Sequence, residues 1–114
     1  MSKRIIYIED EADCRAPLID VLEIAGHTVF GYESAEDAQH HLSDNDLDVA
    51  IIDVALPGQG GDAYAAELRK GNKNIRIIFL TGNYDVENLK DHVPDAYCLS
   101  KPVDVDVLLQ IVSK

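Results

Sequence analysis

Apolar residues along this chain gather into short β-branched runs, and each run is followed by a stretch with helical spacing. The runs are Arg4–Ile8, Thr28–Tyr32, Val49–Asp53 and Arg76–Leu80, with a weaker one at Ala96–Leu99. Ile5-Ile6-Tyr7-Ile8, Ala50-Ile51-Ile52 and the stretch from Ile75 to Leu80 are nearly unbroken in apolar residues. A strand with one wet face would alternate apolar and polar positions. Continuous runs instead predict strands buried on both faces, as in a parallel sheet covered by helices. The alternation predicts an α/β fold with five strands and five helices.

The first helix, over roughly Asp13–Ala25, offers Leu18, Val21, Leu22 and Ala25 on one face and stops at Gly26. Pro17 falls about one turn inside it and lacks a backbone donor, which predicts an irregular first turn. A second helix opens with Ser34 as N-cap and Asp37 three positions on, and places Ala35, Ala38 and Leu42 on one side. His40 and His41 fall within it. Adjacent histidines point in different directions on a helix, so they are read as surface residues with no metal role. A third helix, roughly Asp62–Lys70, buries Tyr64, Ala65 and Leu68, and Gly71-Asn72-Lys73-Asn74 ends it. The last helix, roughly Val103–Val112, carries Val105, Leu108, Leu109 and Val112. Between Thr81 and Pro94 the pattern weakens. Val86, Leu89 and Val93 suggest a short, poorly anchored helix there, the expected mobile part of the fold.

With 114 residues, one domain spanning 1–114 is expected. A formal net charge of −11 would repel a nucleic-acid backbone, which argues against direct DNA or RNA binding. No apolar run reaches membrane-spanning length and no charged-then-apolar leader opens the chain, so a cytoplasmic protein is expected. Cys14 and Cys98 lack metal-site spacing and read as reduced thiols.

The candidate chemistry gathers at strand ends. Glu9-Asp10-Glu11 follows the first run, Asp53 closes the third, and Thr81 follows the fourth. In an open α/β sheet that edge is where ligands bind. Crowding Glu9, Asp10 and Asp53 costs free energy unless a cation neutralises them. An all-oxygen donor set with room for waters suits Mg²⁺ better than zinc or a caged Ca²⁺. Lys101 adds a point positive charge. A carboxylate beside Mg²⁺ can attack phosphorus to form an acyl phosphate, and Thr81 can donate its hydroxyl to the phosphoryl oxygens.

Four segments carry a family resemblance: Ile5-Ile6-Tyr7-Ile8-Glu9-Asp10-Glu11, Ile51-Ile52-Asp53-Val54-Ala55-Leu56-Pro57 with Gly61, Thr81-Gly82, and Ser100-Lys101-Pro102. The chain resembles the receiver domain of two-component response regulators over essentially its whole length. The resemblance implies a flavodoxin-like, doubly wound sheet in the order 2-1-3-4-5. It implies Asp53 as phosphoacceptor, Asp10 as direct Mg²⁺ ligand, Glu9 as a second acid acting through water, and the Ala55 backbone carbonyl as a further ligand. Thr81 and Lys101 take the phosphoryl-sensing roles, and the peptide before Pro102 is implied to be cis. The implied partner is a sensor histidine kinase or histidine phosphotransfer protein.

Several positions depart from the family pattern. Gly60 stands where many receivers have an acid, and Cys98 stands where an aromatic usually swings inward, with Tyr97 one residue away on the opposite strand face. Output is therefore expected through backbone rearrangement of Gly82–Asp91. Ala55 cannot position a water by its side chain, which predicts slow self-dephosphorylation. Two other readings compete. A phosphorylation-independent interaction module would keep the fold alone, while a Mg²⁺-dependent aspartyl-phosphate phosphatase would need an acid where Ala55 stands.

Overall fold

The computed structural model describes residues 2–43, 46–54, 60–82 and 93–114. Five parallel strands form one sheet: β1 (Arg4–Ile8), β2 (Thr28–Tyr32), β3 (Val49–Asp53), β4 (Arg76–Thr81) and β5 (Tyr97–Ser100). Their order is β2-β1-β3-β4-β5, as the resemblance implies. The first three strands begin and end where the apolar runs do; β4 runs one residue further and β5 lies one residue later.

Side chains alternate across the sheet and so feed two cores. Ile6, Ile8, Ala50, Ile52, Ile77 and Phe79 pack on one face with Tyr64, Ala65 and Leu68 of helix α2 (Gly61–Gly71). Ile5, Tyr7, Val49, Ile51, Ile78 and Leu80 pack on the other with α1 (Ala12–Ile24) and α3 (Val105–Ser113). Burial on both faces explains why these strands read as continuous apolar runs.

Helix α1 carries Pro17 in its interior. The Glu11 carbonyl accepts from both Cys14 N–H at 3.1 Å and Arg15 N–H at 2.9 Å, an ordinary shared bond at a helix start, and the α-helix then runs unbroken through Pro17, so the irregular first turn expected from that proline is corrected to a regular one. At the far end Gly26 has φ +100°, and His27 N–H donates back to the Leu22 carbonyl, closing the helix. Helix α3 starts two residues later than its pattern suggested, because Asp104 caps it by accepting from the N–H groups of Asp106 and Val107. Three α-helices occur among the described residues. Most of the expected fourth helix lies outside them, with Val93 described and buried.

The second expected helix is corrected to a chain of tight turns ending in a 3₁₀ segment, Gln39–Ser43. Asp37 N–H does donate to Ser34 Oγ at 3.2 Å, as a cap would require. Beyond it the bonds run three residues back: Ala38 to Ala35, Gln39 to Glu36 and His41 to Ala38. Ala35, Ala38 and His41 are all buried, a spacing of three, and the Tyr64 hydroxyl donates to the Ala38 carbonyl at 2.6 Å. Burial at every third position favours the tighter winding. His41 is therefore a buried residue rather than a surface one, while His40 stays exposed.

No helix among the described residues is long and apolar enough to cross a membrane.

Candidate functional site

The carboxyl ends of the parallel strands all face one edge, and the charged residues of the sequence converge there. Asp53 ends β3 with 1 % of its surface exposed, and Glu9 follows β1 with 2 % exposed. Neither carboxylate reaches bulk water freely. Glu9 is held by its backbone N–H, which donates to the Tyr32 carbonyl at 3.0 Å, and its Oε2 accepts from Glu11 N–H at 3.3 Å. Lys101 follows β5 and its N–H donates to the Thr81 carbonyl at 2.7 Å, fastening the β4 and β5 ends together. The Lys101–Pro102 peptide is cis, as the resemblance implies.

From that anchor the Lys101 ammonium donates to Asp53 Oδ2 at 2.6 Å and lies 3.5 Å from Glu9 Oε1. One oxygen from each of Glu9, Asp10 and Asp53 lies within 4.8 Å of the others. Thr81 ends β4 beside this group, 3 % exposed, where β4 registers Leu80 against Asp53. The structure thus brings together Glu9, Asp10, Asp53 and Lys101 and sets Thr81 at the same edge. Ala55 lies outside the described residues.

Among the described residues, three carboxylates gather around the Lys101 ammonium, which leaves negative charge in excess there. Burial pushes the Glu9 carboxyl up to about 7, reinforced by its hydrogen bond with Asp53 and by the Asp53 charge; Lys101 opposes this only in part. For Lys101 itself burial pulls downward, but the bond to Asp53 and the charges of Asp53 and Glu9 outweigh it and the ammonium is held above its ordinary range. Beneath the cluster the Tyr7 phenol is raised by burial first and then by Glu9 and Asp53. An all-oxygen set of hard donors carrying uncompensated charge fits Mg²⁺.

Two supporting residues escaped the sequence reading. Arg15 Nη1 donates to the Glu9 carbonyl at 2.5 Å and pins the loop that presents Glu9 and Asp10. Its place about one turn into α1, six residues after Glu9, is the only sequence signal for that reach. Tyr7 forms the floor, hidden within an apolar run that marked it only as core. Beside the site a groove of about 610 Å³ runs between α1 and the segment after β5. Cys14, Pro17, Val21, Pro102, Val103 and Val105 line it, and it opens onto Glu9 and Lys101.

Comparison with known proteins identifies the family and the fold. The response regulator receiver domain family matches residues 5–113. The response regulator receiver protein CpdR of Brucella abortus is 30 % identical over 114 residues, covering 98 % of this chain and 95 % of that protein. The aerobic respiration control protein ArcA of Escherichia coli is 39 % identical over 80 residues, covering 68 % of this chain but 32 % of ArcA, so the match spans about a third of that relative's length. Among solved structures, a receiver domain protein from Clostridium thermocellum superposes with a TM-score of 0.87 at 27 % identity, covering 97 % of this chain and 91 % of that one. The receiver domain of a modulated diguanylate cyclase from Desulfovibrio desulfuricans gives 0.85 at 32 % identity, covering 99 % and 92 %.

Proposed function

The chain belongs to the response regulator receiver domain family, and from that premise we propose that it stores a phosphoryl group on Asp53 as a reversible signal. The observation that carries this reading is the 2.6 Å contact between Lys101 Nζ and Asp53 Oδ2 inside a carboxylate cluster of which Glu9 and Asp53 are buried. An acceptor carboxylate must be kept ionised in a nearly water-free place, and an ammonium at that distance does so.

In the proposed transfer, an Asp53 carboxylate oxygen attacks the phosphorus of a partner's phosphohistidine. A P–O bond forms and the P–N bond breaks; the electron pair stays on the leaving imidazole nitrogen, which takes up a proton. Lys101 follows the charge from the carboxylate to the new phosphoryl oxygens, and Thr81 offers its hydroxyl to the same oxygens. Arg15 and Tyr7 act one step back by fixing the position of Glu9 and the floor of the pocket. Glu9, Asp10 and Asp53 would hold Mg²⁺, with the Ala55 carbonyl as the further ligand the resemblance implies; the bound ion supplies neutralising charge to the phosphoryl oxygens.

A sensor histidine kinase or histidine phosphotransfer protein is the proposed donor, and the groove beside Lys101 offers it an apolar landing surface next to the acceptor. For the readout, Cys98 packs with the core face that holds Phe79, while Tyr97 lies on the opposite face under the Lys114 ammonium. Tyr97 is thus placed where it cannot follow Thr81. We assign the output step to the backbone after Thr81, in the stretch from Gly82 to Asp91, most of which lies outside the described residues. The test is to incubate the chain with Mg²⁺ and a small phosphodonor and read intact mass. One phosphoryl increment that needs both Asp53 and Mg²⁺ is expected, and it should decay slowly because Ala55 offers no side chain to a hydrolytic water. A folded protein that takes up no phosphoryl group from either a small donor or a kinase would instead be a phosphorylation-independent binding module.

A further inference from the structure

The 3₁₀ segment Gln39–Ser43 turns two adjacent imidazoles toward one phenol on strand β2. Tyr32 Oη lies 2.6 Å from His41 Nε2 and 3.1 Å from His40 Nε2, and the two imidazole centroids are 4.3 Å apart. We propose that Tyr32, His40 and His41 form a second cation site, suited to a late first-row divalent ion such as Zn²⁺ and separate from the acidic cluster.

Proton counting supports a shared occupant. Tyr32 has one hydroxyl proton, so it can donate to only one of the two Nε2 atoms. For both contacts to be hydrogen bonds, the other imidazole has to carry its proton on Nε2 and donate to the phenol oxygen. One ion can replace these shared protons, with the phenol proton passing to solvent and the Nε2-protonated ring shifting its proton to Nδ1.

Geometry and surroundings agree. Ligands of a tetrahedral zinc at its usual bond lengths lie about 3.3 Å apart. The observed 2.6 and 3.1 Å separations of the phenol oxygen from the two imidazole nitrogens each lie within an ångström of that spacing. Two imidazoles and a phenolate favour zinc and copper over magnesium. His41 is buried and Phe30 packs on it with ring centroids 5.3 Å apart, which gives the site a dry wall. Exposed His40 leaves an entry path. A chain with net charge −11 also draws cations to its surface.

The test is calorimetric titration of Zn²⁺ into the full chain under saturating Mg²⁺, which occupies hard-oxygen sites and competes poorly for imidazole. One zinc equivalent is expected, weakened at least tenfold in both His40→Ala and Tyr32→Phe, each with an unchanged far-ultraviolet circular dichroism spectrum. Cu²⁺ gives an independent readout, a visible phenolate charge-transfer band in the wild type that Tyr32→Phe removes. Absence of zinc uptake by the folded wild type, or wild-type affinity in either variant, would overturn the proposal.

Discussion

Two ion pairs of equal length sit at different places in this protein and behave as different chemistry. Lys101–Asp53 and Arg69–Asp95 both span 2.6 Å. The Asp95 side chain is 69 % exposed and Arg69 also donates to the Ile75 carbonyl, so water and the backbone share that charge. Asp53 is sealed beside Glu9, and one lysine serves both carboxylates. Distance alone therefore says little. Burial and charge imbalance set the first contact apart as the place where we propose that a cation and a phosphoryl group bind, whereas an exposed pair contributes roughly 0.2–1 kcal/mol.

The sharpest way to break this contrast is Asp53→Asn, which should take phosphoryl incorporation from stoichiometric to none by intact mass; removing Mg²⁺ with a chelator should do the same to the wild type. Next, Lys101→Ala leaves the carboxylates without their ammonium. We expect phosphorylation by a small donor to slow by about 10²-fold, the scale typical of losing one preorganised electrostatic partner, read from time courses of the mass increment.

A third effect follows from Glu9, whose carboxyl lies near 7 in the fold against 4.5 when exposed. The folded state holds this proton more tightly than the unfolded chain, so metal-free stability should fall as pH rises from 4.5 through 7 and level off above. Mg²⁺ bound at the proposed site would displace the same proton. Its affinity should therefore rise about tenfold between pH 6 and pH 8, measurable by calorimetry, and Asp53→Asn should flatten the pH dependence of metal-free stability because Asp53 is one of the causes of the shift. The smallest expected effect is at the other pair: Asp95→Ala should change unfolding free energy by less than about 1 kcal/mol and leave phosphorylation untouched. A large loss of either would erase the distinction between the two pairs.

The candidate site was legible because its residues stand at the ends of runs that could only be strands. The Glu9-Asp10 pair, Asp53, Thr81 and Lys101 are far apart in sequence, but parallel strands bring their carboxyl ends to one edge. Arg15 and Tyr7 were not legible. One acts by reaching a backbone carbonyl, and the other looks like any core residue until the carboxylates above it are placed. The turn before β3 misled the helical reading, since Ala35, Ala38 and Leu42 fit an α-helical face. Burial of Ala35, Ala38 and His41 at intervals of three was the competing pattern, and the bond from Tyr64 favours it.

Local hydrophobic runs and strand-end chemistry thus determined the α/β alternation, the strand limits to within one residue and the acidic cluster, because parallel strands buried on both faces leave little freedom in composition. Tertiary structure alone decided which carboxylate oxygens the Lys101 ammonium reaches, how strongly Glu9 holds its proton and that His40 and His41 meet Tyr32. These depend on the packing of separate elements, and solvent exclusion sets the strength of each charge after the chain has closed around it.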